Sequence, residues 1–302
     1  MPTDAAAKRA YRNTLNRIIK RYRAREAATE REWRALLLAF RAQVADSILG
    51  TGTDFDVFVT DELTRNVDRL ALELNQNMNL VLRPNETLTY QDGLESVVDP
   101  LNAMEIAAYN LTISPSLAQV NALLGFSAEL ITDITDETRN KINEQIRLGA
   151  LGGKSPRQVM QEITRILGFD GRKVVGGISA RAETIARTEI NRAYNVAAQS
   201  QAEASLVDVP GMKKRWISTA DGRTRETHLN AHIRYAANPI PVDEAFQVGS
   251  SELMQPLDPG GAASETINCR CSMELVTPTI GVVPSPLDAE VKQQKEERKD
   301  DK

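Results

Sequence analysis

The 302-residue chain is 41% hydrophobic, 5% aromatic and 26% charged, with a net charge of −4. That balance excludes a disordered chain and fits a helix-rich protein with a modest core. No apolar run approaches the roughly 18 residues that a membrane span requires, and two cysteines exclude a disulfide scaffold. The charge is uneven. Residues 1–45 carry eleven Lys/Arg against four acids, a surplus of seven positive charges, so the remainder is strongly acidic. The N-terminus lacks the apolar core of a signal peptide and resembles an Arg-rich transit peptide only superficially, so synthesis in a reducing cytosol is expected.

Taken in chain order, residues 5–48 contain no Pro or Gly and read as one long helix or a helical hairpin, stopped at Gly50-Thr51-Gly52. Leu15, Ile18, Ile19 and Tyr22 recur at helical spacing, as do Trp33, Leu36, Leu37, Phe40 and Val44. Residues 60–82 form a second helix, which Arg83-Pro84-Asn85 is expected to break. Shorter helices follow at 101–111 and 116–134. Asp136 is expected to cap another over 137–148, stopped by Gly149 and Gly152-Gly153. Ser155-Pro156 is a helix start whose apolar face is Val159, Ile163, Ile166 and Leu167. A Gly-rich connector then leads into a helix over 179–205.

After Pro210-Gly211 the texture changes. Residues 213–219 read as a strand, Asp221-Gly222 as a turn and 223–233 as a short helix. Residues 238–264 are mostly loop with a short strand at 245–248, and 271–276 is a last strand. Residues 278–302, with three prolines and a charged end, read as a disordered tail. The expected fold class is α+β: a helical N-terminal part over 1–135, a compact module over 136–277, and the tail.

The chemistry-bearing residues are concentrated. Both histidines and both cysteines fall between His228 and Cys271. In H-x₃-H the imidazoles share a helix face, and in C-x-C the sulfurs share a strand face. Three readings stay open. His228, His232, Cys269 and Cys271 form a structural zinc site; or the cysteines pack as small buried groups beside a hydrogen-bonded His228; or a Cys–His pair is catalytic. If His232 is not a ligand, Asp258 or Asp221 would complete the zinc shell.

Arg187 and Glu189 lie two apart on a helix, so they do not share a face. One is expected in a buried ion pair, with Glu189 or Arg187 bonding the Asp221–Arg225 loop. A phosphate or nucleotide site on Arg187, Arg223 and Arg225 is an alternative, and no carboxylate constellation supports a nuclease metal. In the basic segment, Arg9, Arg12, Arg17, Lys20, Arg21 and Arg23 form either a solvated face or a phosphate-contacting one.

From Arg181 to Cys271 the sequence resembles the phage head morphogenesis family, the Mu protein F-like and SPP1 gp7-like minor head proteins. The matching elements are Ala186-Arg187-Thr188-Glu189 with Arg192, Ala193 and Asn195; Lys214-Arg215-Trp216; Asp221-Gly222-Arg223-Thr224-Arg225 with His228; Pro241 to Phe246; Pro256 to Pro259; and Glu265 to Cys271. His232 stands where the family shows a small loop, so a second imidazole ligand is not implied. The resemblance implies a minor capsid protein of the virion interior near the portal vertex, present in the host cytoplasm during assembly. Its implied partners are the portal protein, procapsid or scaffold components and double-stranded phage DNA, with no membrane and no enzymatic activity. Some relatives carry a fused toxin or ADP-ribosyltransferase domain, a fusion not expected here because the chain ends soon after Cys271. The competing reading is an enzyme, a nuclease or nucleotide-dependent transferase. An open pocket joining His228, Glu189 and Arg223 would favour it.

Overall fold

The computed structural model describes residues 4–50, 57–106 and 111–300. The expected stop at Thr51-Gly52, and residues 107–110 of the expected helix over 101–111, lie outside the described residues. The architecture is α+β, with long helices preceding a region of short strands and helices. By its internal contacts the chain forms two compact units. One comprises 1–26, 86–120 and 187–302, the other 27–85 and 121–186.

The second of these is helical. Its parts of α1 (Asp4–Leu49), α2 (Val57–Asn102) and α3 (Leu117–Leu148) bury the periodic residues. Trp33, Leu37, Phe40 and Val44 of α1, Val67, Leu70, Leu74 and Met78 of α2, and Ile131, Ile134, Ile142 and Ile146 of α3 are all buried. Trp33 Nε1 donates to the Met78 carbonyl at 3.1 Å, so the largest side chain leaves no unpaired donor. The helix α4 (Pro156–Leu167) opens on a reciprocal capping box between Ser155 and Gln158 and closes at Gly168, with φ +77. A side chain at Gly168 would collide with the Gly176 carbonyl, only 1.8 Å from where its Cβ would stand. The two-residue strands β1 (Phe169–Asp170) and β2 (Lys173–Val174) follow as a small hairpin, and α5 (Gly177–Ala204) begins after it.

Two expected breaks do not occur. Pro84 sits inside α2 on its exposed side, so its ring and the carbonyl it orphans face solvent. Beyond it Tyr90, Leu94, Val97, Val98 and Leu101 are buried, which keeps the helix going. Asp136 likewise lies within α3 and pairs with Arg139 instead of capping a new helix.

In the other unit a three-stranded antiparallel sheet, in order β4-β3-β7, carries the site. Strand β3 (Lys213–Ile217) pairs along its length with β7 (Ser272–Val276), Trp216 opposite Met273, and at its start with β4 (Ile240–Pro241). Every residue of β7 is buried, as expected of a strand covered on both faces. Helix α6 (Glu226–Ala237) packs on β3 and on the hairpin of β5 (Phe246–Val248) and β6 (Ser251–Leu253). Trp216, Phe246 and Tyr235 stack edge-on through this core. Helices α1, α2 and α5 contribute Tyr11, Leu15, Val97, Leu101, Ala198 and Ala202 to the same core. Gly93 of α2 allows a close helix approach, since a Cβ there would lie 2.3 Å from the Tyr194 carbonyl.

The short helix α7 (Ala263–Thr266) precedes the Cys-x-Cys segment. The reading of 278–302 as disordered is corrected by α8 (Leu287–Asp300). Its Val291 is fully buried, and Asp288 accepts from Arg215 and from the Ser285 amide. One apolar anchor, one acid aimed at a buried guanidinium, and bonds from Gln294, Lys295 and Arg298 to the Asp221 turn and α6 hold a helix whose composition is otherwise that of a tail.

Candidate metal centre

Helix α6 presents His228 and His232 one turn apart, both buried. They serve different neighbourhoods. His228 Nδ1 lies 3.3 Å from Cys271 Sγ and 3.6 Å from Cys269 Sγ. A tetrahedral zinc places nitrogen and sulfur ligands about 3.5 Å apart, so these separations are those of a metal-ligand set. His228 Nε2 lies within hydrogen-bond distance of Glu265 Oε2, at 2.9 Å, and its Nδ1 faces the sulfurs. A carboxylate on the far nitrogen is the usual orienting partner of a metal-bound imidazole. Thr227 Oγ1 donates to the same carboxylate oxygen at 2.8 Å. Gly249, with φ +58, lets the β5–β6 turn pass over it, for a Cβ there would lie 2.6 Å from Glu265 Oε1.

His228, Cys269 and Cys271 offer three ligand atoms within 4.8 Å of one another, and among the described residues no other His, Cys, Asp or Glu joins them. The expected four-ligand set is therefore corrected to three. His232 Nδ1 instead accepts from the Ser218 amide at 3.1 Å, and its Nε2 donates to Asp288 Oδ1 at 3.0 Å. Neither reserve acid completes the shell. Asp258 accepts from the amides of Met254 and Gly260. Asp221 accepts from the Arg223 amide and Thr224 and pairs with Arg270.

The electrostatics favour one thiolate over the other. Burial pushes the Cys271 thiol up, and neighbouring Cys269 adds to this. Burial also opposes ionisation of Cys269, but hydrogen bonds from Cys271 and His228 outweigh it and bring its thiol well below the usual range. Trp216 stands edge-on to the His228 ring at 5.3 Å and closes the inner side.

The remaining sequence-selected residues mostly hold the 265–271 loop. Arg187 Nη1 donates to Asn268 Oδ1 at 2.5 Å, and the Asn268 amide donates to Thr188 Oγ1 at 2.9 Å. Asn195 Nδ2 donates to the Cys271 carbonyl at 3.1 Å. Arg225 Nη2 donates to the Ile267 carbonyl at 2.6 Å. Asn268 adopts φ +60, a left-handed conformation these bonds stabilise. Arg187 thus bonds the cysteine loop, not the expected Asp221–Arg225 loop. Glu189 bonds neither: it forms a buried ion pair with Arg192, whose Nε reaches the Leu257 carbonyl at 3.4 Å. Burial raises the Glu189 carboxyl above its ordinary value despite Arg192. Arg223 is exposed, near Asp221. His228, Glu189 and Arg223 do not share an open pocket, since the first two are buried with separate partners.

Sequence reasoning gave no role to Glu265, Asn268 or Arg270, although all three lie within the quoted Glu265 to Cys271 stretch. Their tasks depend on partners at least 37 residues away, on α5, α6 and the Asp221 turn. An acid shortly before C-x-C is the only local signal.

The six selected basic residues of the N-terminal helix divide evenly. Arg12 binds Glu274 and the Val283 carbonyl. Arg21 pairs with Asp92 and Glu95. Arg23 bonds Glu26, Asn191 and the Arg270 carbonyl. Arg9, Arg17 and Lys20 are exposed. Much of the positive surplus is thus neutralised by the acidic remainder of the same unit.

Among curated proteins, an NAD(+)–arginine ADP-ribosyltransferase of Enterococcus faecalis (strain ATCC 700802 / V583) is 29% identical over 137 residues. The match spans 45% of this chain and 26% of that protein's length. No solved structure matches. Among the described residues no helix is long and apolar enough to cross a membrane. The family described as Phage Mu protein F like protein matches residues 140–274, which take in β3, β4, the start of β7, helix α6 and all three clustered ligands. Over this region, which is less than half of the chain, the sequence is similar to that family.

Proposed function

We propose that the protein is a minor capsid component of a tailed phage that acts at the portal vertex during procapsid assembly, with residues 136–277 as its head-morphogenesis module. The observation that carries this reading is the family match over 140–274, on a region whose selected polar residues are engaged in holding structure. Its partners are the portal protein and procapsid or scaffold components, its location is the virion interior, and it works without catalysis. The ADP-ribosyltransferase named above shares only about a quarter of its length with this chain, so its activity is no argument for one here. The test is particle composition. The protein should co-purify with portal or procapsids at a few copies per head, and absence from purified heads would overturn the reading.

Two finer readings go with it. His228, Cys269 and Cys271 hold a structural zinc that ties α6 to the start of β7, supported by the ligand separations and the Glu265 partner. Elemental analysis should find about one zinc per chain. Packaged DNA is contacted through phosphates by Arg9, Arg17 and Lys20, while Arg12, Arg21 and Arg23 are engaged with acids and carbonyls of the same unit. Replacing the exposed three with Gln should reduce the salt slope of DNA binding by about 2–3. An unchanged slope would remove DNA contact from this helix.

A further inference from the structure

We propose that the metal centre keeps its fourth coordination position open to a small exogenous anion. This rests on the zinc reading above. Three ligands come from the chain, and no fourth His, Cys, Asp or Glu among the described residues reaches them. Beside the trio lies a cavity of about 20 Å³ that has Cys269, Cys271 and His228 in its wall. That is room for one water-sized ligand, since a single water needs roughly 10–15 Å³ by this measure. Three protein ligands with one open place is the arrangement of zinc sites that exchange a ligand, whereas closed structural sites have four.

The rest of the wall says what the ligand is. Arg223, Arg225 and Arg270 line the cavity together with the Thr219 and Thr224 side chains and Asn268. Asp221, paired with Arg270 and 3.7 Å from Arg223, is the opposing acid. Two thiolates already neutralise a divalent zinc, so three guanidiniums against one carboxylate leave the opening cationic. A monodentate anion such as hydroxide, chloride or azide suits both the volume and the charge. Phosphate is too large without displacement of the wall. Glu265 stands behind the imidazole, on Nε2, so it is placed to orient His228 and not to take a proton from the bound ligand.

The test uses the full-length protein with its metal exchanged for cobalt(II) and titrated with azide. Cobalt bound by the trio should give sulfur-to-metal charge-transfer absorption. Azide should then shift the visible ligand-field bands and saturate at one per chain. Cobalt that shows the charge-transfer band but no response to azide would overturn the open position and leave the zinc reading standing. Absence of the charge-transfer band would overturn both. Arg223→Gln, on an exposed side chain, should keep the cobalt spectrum and weaken azide about two- to fivefold; unchanged azide affinity would overturn the anion preference.

Discussion

The helices α3 and α4 and the loop from Glu265 to Cys271 are held by opposite means. The helices bury an apolar stripe, with Ile131, Ile134, Ile142 and Ile146 on α3 and Val159, Ile163 and Leu167 on α4. Their stability rests on many small, interchangeable contacts. The loop has little regular structure and is fixed by side chains from α5, α6 and the Asp221 turn, each making one or two directed bonds. An apolar stripe tolerates a changed residue and repacks. A polar clamp loses a partner outright and leaves the other half buried and unsatisfied.

The sharpest break of the loop is at its metal ligands. Cys269→Ser should abolish zinc binding and cost several kcal/mol, because the free energy of a structural metal is folding free energy. Chelation should lower the melting temperature of the natural protein and leave that of the variant unchanged. Equal melting temperatures of the natural protein with and without chelator would return the cysteines to simple core packing.

Next comes the buried pair. Glu189→Leu alone strands the Arg192 guanidinium and should cost about 3–5 kcal/mol. The double change Glu189→Leu with Arg192→Met removes both charges and should cost less than the single one, which denaturant unfolding of the two variants measures. By contrast, Ile163→Val on α4 should cost about 0.5–1.5 kcal/mol. A double variant worse than the single would mean that the pair itself, and not the stranded charge, carries the stability.

The smallest effect is a pH dependence. Burial holds His232 below its ordinary value of 6.5, although its Asp288 partner opposes this. The ring is also faced by Arg215, which lowers it further, and by Glu274, which raises it. The unfolded chain therefore takes up a proton near pH 6.5 that the folded chain refuses, and stability falls as pH drops below that value, by up to about 1.4 kcal/mol per pH unit. The natural protein should lose more stability between pH 7 and 5.5 than His232→Gln. Parallel curves for the two would contradict the assignment.

What was legible follows the same division. The apolar spacings of α1 and α4 and the Ser155-Pro156 start are written locally, and the structure reproduces them. Pro84 was misread because a proline's cost depends on which side of the helix it faces, and the sequence around it does not say. The tail was misread because Asp288, Val291 and a few polar side chains find distant partners that outweigh a disordered composition. H-x₃-H and C-x-C pointed to the place where His228, Cys269 and Cys271 come together. The pairing of His228 with the sulfurs and of His232 with Asp288 depends on which neighbour each face of α6 meets. The orienting Glu265 lies 37 residues from its histidine, beyond any local pattern.

On the reading proposed above, the selected polar residues hold a capsid component together and do not perform chemistry. The most direct measurement is infectivity per incorporated copy for phage carrying the Glu189→Leu, Arg192→Met double variant, beside the folded-state stability of that protein. The account predicts that particles containing the folded double variant at natural copy number are as infectious as the natural phage. Well-folded protein, normally incorporated, in particles that fail to infect would contradict it and assign a chemical role to the pair.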